Sequence, residues 1–133
     1  MPAYMAPEIF VKSRRLKSAS FQDLKQVDVW AFGIVMFNLI NPDLKYPFQL
    51  DFEDGASATD QMEELMSHQE RPSGSHKYEK SRETIWHPVT ELHKKCTDFD
   101  PARRPTALQL QGEFHSLLCI VELLMLKNQG QRN

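Results

Sequence analysis

Apolar side chains recur along the chain with helical spacing, and this pattern predicts a protein built mainly from helices. The most apolar segment, residues 28–40, carries hydrophobic side chains on nearly every side. A helix with that pattern is expected to be buried almost all round. A buried strand is the alternative, but the length of the segment favours a helix. The pair Asn41-Pro42 is expected to end it.

Weaker apolar stripes and capping signals predict the remaining helices. Residues 1–10 indicate an ordered loop that leads into a short helix, and Ser57 and Asp60 fit an S-x-x-D helix start. Amphipathic helices are further predicted over 85–96 and 106–127, whereas residues 128–133 are expected to fray. No strand is predicted, so the expected fold class is mainly α. The apolar residues that we expect the last helix to bury are Leu108, Leu110, Phe114, Leu117, Leu118, Val121 and Leu124 or Met125.

Composition narrows the class of protein without naming a function. Hydrophobic residues make up 41% and charged residues 26%, as in an ordinary globular protein, and the net charge of -2 gives no reason to expect nucleic acid or an anionic membrane as partner. Two cysteines, Cys96 and Cys119, are too few for a disulfide framework, which favours a reducing, cytoplasmic setting. The longest apolar stretch, residues 117–126, is shorter than the roughly 18 residues of a membrane span.

Two further groups of residues are candidates for chemistry or binding. His87, His93 and Cys96 are candidate metal ligands, and the spacing of His93 and Cys96 predicts that they share a helix face. A structural zinc site needs a second pair of ligands and the sequence offers none, so no metal site is predicted. The basic, serine-rich segment 12–25 has the composition of an exposed insertion. Within it, residues 14–18 (R-R-L-K-S) present a phosphorylation site or a weak docking patch as the alternative.

Three motifs follow one another in order, and together they resemble those of the protein kinase family. Residues 5–8 (M-A-P-E) resemble the A-P-E element that ends a kinase activation segment, and residues 28–33 (D-V-W-A-F-G) resemble the D-x-W-x-x-G start of the central helix. Residues 100–106 (D-P-A-R-R-P-T) resemble the D-P-x-x-R-P-[ST] turn before the last helix. The smaller elements Y-P-F at 46–48 and E-R-P at 70–72 lie between them.

The resemblance implies a partial kinase domain over residues 1–127, the incomplete C-terminal helical lobe of an α+β fold. It implies that Glu8 pairs with Arg104, either as a buried pair, which we favour, or as two exposed charges. It also implies that Asp28 caps the central helix and accepts hydrogen bonds from the catalytic loop, with a simple N-cap as the alternative. Trp30 is expected in the core.

The resemblance also identifies what this sequence lacks. It has no G-x-G-x-x-G loop, V-A-I-K lysine, H-R-D loop or D-F-G element, so we expect no phosphate transfer by this chain alone. ATP and Mg²⁺ would be cofactors of a longer parent kinase. Pro2, Ala3 and Tyr4 would belong to its substrate-facing loop, and Tyr4 favours serine/threonine or dual specificity.

Three hypotheses about function remain open from the sequence. The chain is part of a serine/threonine-type kinase, with a protein substrate and the N-terminal part of the kinase as partners. Alternatively, it is a non-catalytic, pseudokinase-like module that docks a protein through helix 57–69, using Met62, Leu65 and Met66. The third hypothesis is an unrelated helical protein, in which Glu8 and Arg104 would lie far apart.

Overall fold

The chain folds as a set of helices around one long central helix. A computed structural model describes residues 4–48, 50–53, 55–72 and 86–131. Within these ranges there is no strand, which confirms the mainly α fold class. The helices are α1 (Pro7–Phe10), α2 (Phe21–Ile40), α3 (Ala58–Ser67), α4 (His87–Cys96) and α5 (Ala107–Gln131), with 3-10 turns at Lys12–Arg14 and Pro101–Arg103.

The central helix α2 begins at Phe21, not at Asp28 as we predicted. Ser20 is its N-cap: the Ser20 hydroxyl accepts a hydrogen bond from the Asp23 amide at 3.1 Å. In return, the Asp23 carboxylate accepts one from the Ser20 amide at 2.8 Å, which completes a capping box. The predicted insertion 12–25 is therefore a 3-10 turn, an exposed segment over 15–20 and the first turn of α2.

Hydrophobic residues pack on two sides of α2. On one side, Trp30 and Ile34 pack in a cluster with residues of α1 and α3, among them Phe10, Met62 and Met66. The cluster on the other side consists of Val29, Met36, Leu92, Cys96 and Leu110, from α2, α4 and α5. The expectation that α2 is buried almost all round was wrong for part of its surface, because Phe32, Val35 and Leu39 are exposed.

Helix α4 packs closely against α2 at Gly33. A buried hydrogen bond of 2.7 Å joins the His93 imidazole to the Gly33 carbonyl, so α2 and α4 are held together at this point. The far end of α4 is held by Arg71, whose guanidinium donates to the carbonyls of Lys94 at 2.6 Å and Thr97 at 3.2 Å. These bonds satisfy carbonyls that the end of a helix otherwise leaves unpaired.

Replacing Gly33 by alanine is expected to destabilise the fold by about 2 kcal/mol. A Cβ at this position would lie 2.7 Å from the Thr97 methyl group and 2.8 Å from the Cys96 Cβ, so α4 must move away and the bond from His93 is weakened. The better helix propensity of alanine offsets only about 1 kcal/mol of this cost. Urea unfolding followed by far-UV circular dichroism measures the loss.

The matched control is Gly112→Ala in α5. A Cβ there meets nothing within 4 Å, so only the gain in helix propensity remains. We expect Gly112→Ala to raise the free energy of unfolding by about 0.5–1 kcal/mol. Equal effects of the two alanines would show that the close contact between α2 and α4 is absent in solution.

Helix α5 differs most from its prediction. The Thr106 hydroxyl caps its start by accepting from the Gln109 amide at 3.2 Å, and the helix continues to Gln131, beyond the predicted end at residue 127. Helix α5 has more apolar residues than its contacts with α2 and α4 can bury. Among the described residues that were expected to be buried, Leu110 alone is buried; Phe114 and Leu117 are partly buried, whereas Leu108, Leu118 and Met125 are exposed. The side chains of Val121 and Leu124 lie outside the described set.

None of the helices in the described ranges combines the length and the hydrophobicity that crossing a membrane requires.

Candidate functional site

The candidate site is centred on Arg104, which follows the 3-10 turn Pro101–Arg103. Asp100 shapes this turn, because its carboxylate accepts a hydrogen bond from the Ala102 amide at 3.0 Å. The turn directs the Arg104 side chain inwards, where it is 0% exposed. A guanidinium buried to this degree needs partners for its donors.

Glu8, in the first turn of α1, supplies the charged partner of Arg104. The two guanidinium NH2 groups donate to the two carboxylate oxygens at 2.6 and 2.9 Å, which is a bidentate pair between residues 96 positions apart. The Glu8 side chain is only 9% exposed. Charge-assisted bonds of this geometry fix orientation as well as distance, so the pair holds α1 in place against the turn at Pro101–Arg103.

Two backbone carbonyls complete the surroundings of the guanidinium. Arg104 donates from Nη1 to the Gln26 carbonyl at 2.9 Å and from Nε to the Asp98 carbonyl at 2.8 Å. The Gln26 carbonyl lies within α2, so Arg104 connects α1, α2 and its own turn. Sequence reasoning missed both contacts, because a backbone carbonyl has no signature in the residue type.

Aromatic rings cover the ion pair on the side of α2. The Arg104 guanidinium lies over the Trp30 ring at 5.2 Å, and Trp30 contacts Phe99 edge to face with ring centroids 5.7 Å apart. The Arg14 guanidinium lies over the other ring, at 5.5 Å from the Phe99 centroid. Rings at these distances exclude water, which strengthens the charged hydrogen bonds that they cover.

Asp28 is not a helix cap, contrary to the prediction. Because Ser20 caps α2, Asp28 lies inside the helix and its side chain is exposed. It lines a cavity of about 710 Å³ between the first half of α2 and the start of α5. The other residues that line the cavity are mostly apolar and include Val29, Phe32, Leu108 and Phe114.

Of the three residues expected in the substrate-facing loop, Pro2 and Ala3 lie outside the described residues. Tyr4 is partly buried, and its hydroxyl accepts a hydrogen bond from the Asn38 side chain at 2.8 Å. Tyr4 also packs against the hydrophobic cluster that contains Trp30. The start of the chain is thus attached to α2 at a point near the end of that helix.

Helix α3 presents a different surface from the one expected. Met62 and Met66 are each 3% exposed, so the expectation that these side chains are partly free to hold a partner was wrong for the two methionines. Leu65 is partly buried against the core. The outward side of α3 is acidic, and with residues 11–13 it lines a shallow cavity of about 360 Å³. The acidic residues of this cavity are Asp60, Glu63 and Glu64.

Two buried titratable groups of α4, His93 and Cys96, are held in uncharged forms. Burial lowers the pKa of His93 to about 4, outweighing the bond to the Gly33 carbonyl, and Arg71 and Lys94 add to the lowering. Burial likewise raises the pKa of the Cys96 thiol to about 12, so Cys96 is not a reactive nucleophile at neutral pH. Across the described ranges, no three His, Cys, Asp or Glu side chains are grouped as metal ligands.

The fold and the buried ion pair define a chain of the protein kinase class. The family model for the protein kinase domain matches residues 1–114, and the chain belongs to that family. Activin receptor type-1 from Gallus gallus is 28% identical over 116 residues, which cover 81% of this chain and 22% of the relative. The same receptor from Homo sapiens matches at the same identity and coverage. The chain thus spans about a fifth of the length of these relatives.

Proposed function

We propose that this chain is the helical, substrate-side portion of a protein kinase that phosphorylates serine or threonine in proteins. The observation that carries the proposal is the buried bidentate pair between Glu8 and Arg104. It joins the A-P-E element to a turn in the helical lobe, which is a structural role and not a chemical one. In this proposal the pair fixes the end of the activation segment so that a substrate meets a preformed surface.

The substrate-facing part of this surface would be Pro2, Ala3 and Tyr4. The bond between Tyr4 and Asn38 supports this assignment, because it attaches Tyr4 to the central helix α2. Tyr4 also supports serine/threonine specificity over tyrosine specificity, by its resemblance to the corresponding position in serine/threonine kinases.

The N-terminal part of the kinase would cover the cavity beside Asp28. Its apolar lining is typical of a surface that another protein segment buries, and the exposed carboxylate of Asp28 can accept hydrogen bonds from backbone amides of that segment. By the resemblance, that segment is the catalytic loop.

ATP and Mg²⁺ would bind to the parent kinase and not to this chain. The sequence lacks the elements that hold ATP and Mg²⁺ in a kinase, namely the glycine-rich loop, the lysine and the D-F-G element. The described side chains also provide no grouped set of metal ligands. In this proposal the residues of this chain carry out no step of phosphate transfer.

The 133-residue chain alone is expected to show no ATP-dependent phosphate transfer. The assay incubates purified chain with MgATP and a generic basic protein substrate and measures labelled phosphate in the substrate. Incorporation equal to that of a sample without the chain is the expected result. Transfer that co-elutes with the chain through two chromatographic steps would contradict the proposed division of function.

A second candidate function is a non-catalytic, pseudokinase-like docking module that uses residues 57–69. The observation that favours it is the acidic outer side of α3 beside the 360 Å³ cavity, which suits a basic protein segment better than the apolar helix expected from the sequence. A cytoplasmic location fits either function, since Cys96 and Cys119 are both free thiols.

A further inference from the structure

The exposed segment between the first 3-10 turn and α2, residues 15–20, is anchored by hydrogen bonds at its two ends. At its upstream end, the Leu16 amide donates to the Glu8 carbonyl at 3.2 Å, and the Arg15 side chain donates to the Ile9 carbonyl at 3.3 Å. At its downstream end, the capping box fixes Ser20. Ser18 lies between these two anchors with an exposed side chain and takes part in no hydrogen bond within the described structure.

The residues before Ser18 are basic and accessible. Arg15 stands three positions before Ser18 and Lys17 one position before it, and every side chain over residues 15–20 is exposed. Arg15 and Ser20 have extended backbone conformations, with φ/ψ of -60°/128° and -79°/168°. An exposed serine that follows an accessible arginine is the pattern that suits a kinase cleft lined with carboxylates, because the guanidinium can make paired, charge-assisted hydrogen bonds.

We propose that Ser18 is a phosphorylation site of this chain, modified by an arginine-directed serine/threonine protein kinase. In the reaction, the Ser18 hydroxyl oxygen forms a bond to the γ-phosphorus of ATP, the bond between that phosphorus and the β–γ bridging oxygen breaks, and ADP leaves. The hydroxyl proton passes to the catalytic base of the modifying kinase. This site is separate from the Glu8–Arg104 pair and does not depend on the activity of the parent kinase.

The neighbouring serines, Ser13 and Ser20, are less suitable for phosphorylation, so the proposal is specific to Ser18. The Ser20 hydroxyl is engaged in the capping box, where it lies 2.9 Å from the Asp23 carboxylate. Ser13 is exposed but lies in the 3-10 turn, and the residue three positions before it is the buried Phe10. Arg14 is partly buried over Phe99, so Arg15 is the guanidinium that a modifying kinase can reach.

A modified Ser18 would place the phosphate two residues before the N-cap of α2. The positive end of the helix dipole is close by, and Arg15 and Lys17 belong to the same exposed segment, so the added negative charge is stabilised there. Folding of α2 is therefore compatible with the modification, and the phosphorylated chain should remain helical.

The test incubates the folded full chain with a purified arginine-directed serine/threonine kinase and MgATP, and then maps the phosphate by mass spectrometry. The expected product carries one phosphate, on Ser18. Ser18→Ala is expected to lower the initial rate of incorporation at least tenfold, and Arg15→Ala about tenfold. Lys12→Ala, a basic residue outside the segment, is the matched control and should leave the rate unchanged.

Circular dichroism spectra of all variants establish that they fold alike before the rates are compared. Phosphate mapped mainly to Ser13 or Ser20, or an undiminished rate in Ser18→Ala, would overturn the proposal. Incorporation that occurs only after the chain has been heat-unfolded would overturn it too, because the proposed site requires an accessible segment in the folded protein.

Discussion

Arg104→Ala is expected to lower the free energy of unfolding by about 3–5 kcal/mol, one of the two largest effects that we predict. The substitution leaves the Glu8 carboxylate buried without its counter-charge and removes the hydrogen bonds to the carbonyls of Gln26 and Asp98. It also removes the cation over the Trp30 ring. Chemical denaturation followed by far-UV circular dichroism gives the change directly.

Arg103→Ala is the matched control for this prediction. The Arg103 side chain is 76% exposed and lies 4.0 Å from Asp100, so we expect its loss to change stability by less than about 0.5 kcal/mol. Removing both charges with Glu8→Gln and Arg104→Met is expected to restore part of the stability that Arg104→Ala loses, because no buried charge is then left alone. If Arg104→Ala and Arg103→Ala were equally mild, the buried pair would contribute nothing to holding the fold.

The pairing of Glu8 with Arg104 could be anticipated because each belongs to a motif with a defined place in the kinase fold. The resemblance to the same family gave a wrong prediction for Asp28, which it placed as the cap at the start of the central helix. The capping signal at Ser20 has the same S-x-x-D spacing as the signal at Ser57, which correctly predicts the start of α3. The basic composition of residues 12–25 favours an insertion, although the segment contains this local cap. Backbone capping decided the start of α2, whereas composition did not.

The exposed residues of α5 and α2 show a second limit of sequence analysis. A run of apolar residues predicts that a helix has surfaces to bury, but it does not say which of them meet a neighbour. Leu110 and Leu108 have the same side chain and lie two positions apart, yet only Leu110 contacts the cluster around Cys96. Long-range partners that are backbone atoms, such as the Gly33 carbonyl bound by His93, have no pattern in the sequence at all.

The stability of the chain is expected to fall as the pH is lowered from about 6.5 to about 4, through His93. The unfolded imidazole has its ordinary pKa of about 6.5, whereas burial lowers the pKa in the folded state to about 4. Below pH 6.5 the unfolded state therefore binds a proton that the folded state does not, and folding loses free energy until the pH passes the folded pKa. The full loss is about 3 kcal/mol for a shift of this size.

His93→Asn isolates this contribution, because the asparagine amide keeps a donor near the position of Nδ1 but does not titrate. We expect unfolding free energies measured in urea between pH 4 and pH 7.5 to converge for the two proteins at low pH, with the variant less dependent on pH. His115→Asn, on the exposed side of α5, is the matched control and should keep the slope of the parent chain. Parallel pH profiles for all three proteins would mean that the imidazole in the folded state is accessible to protons, and that the contact between α4 and α2 at Gly33 is open in solution.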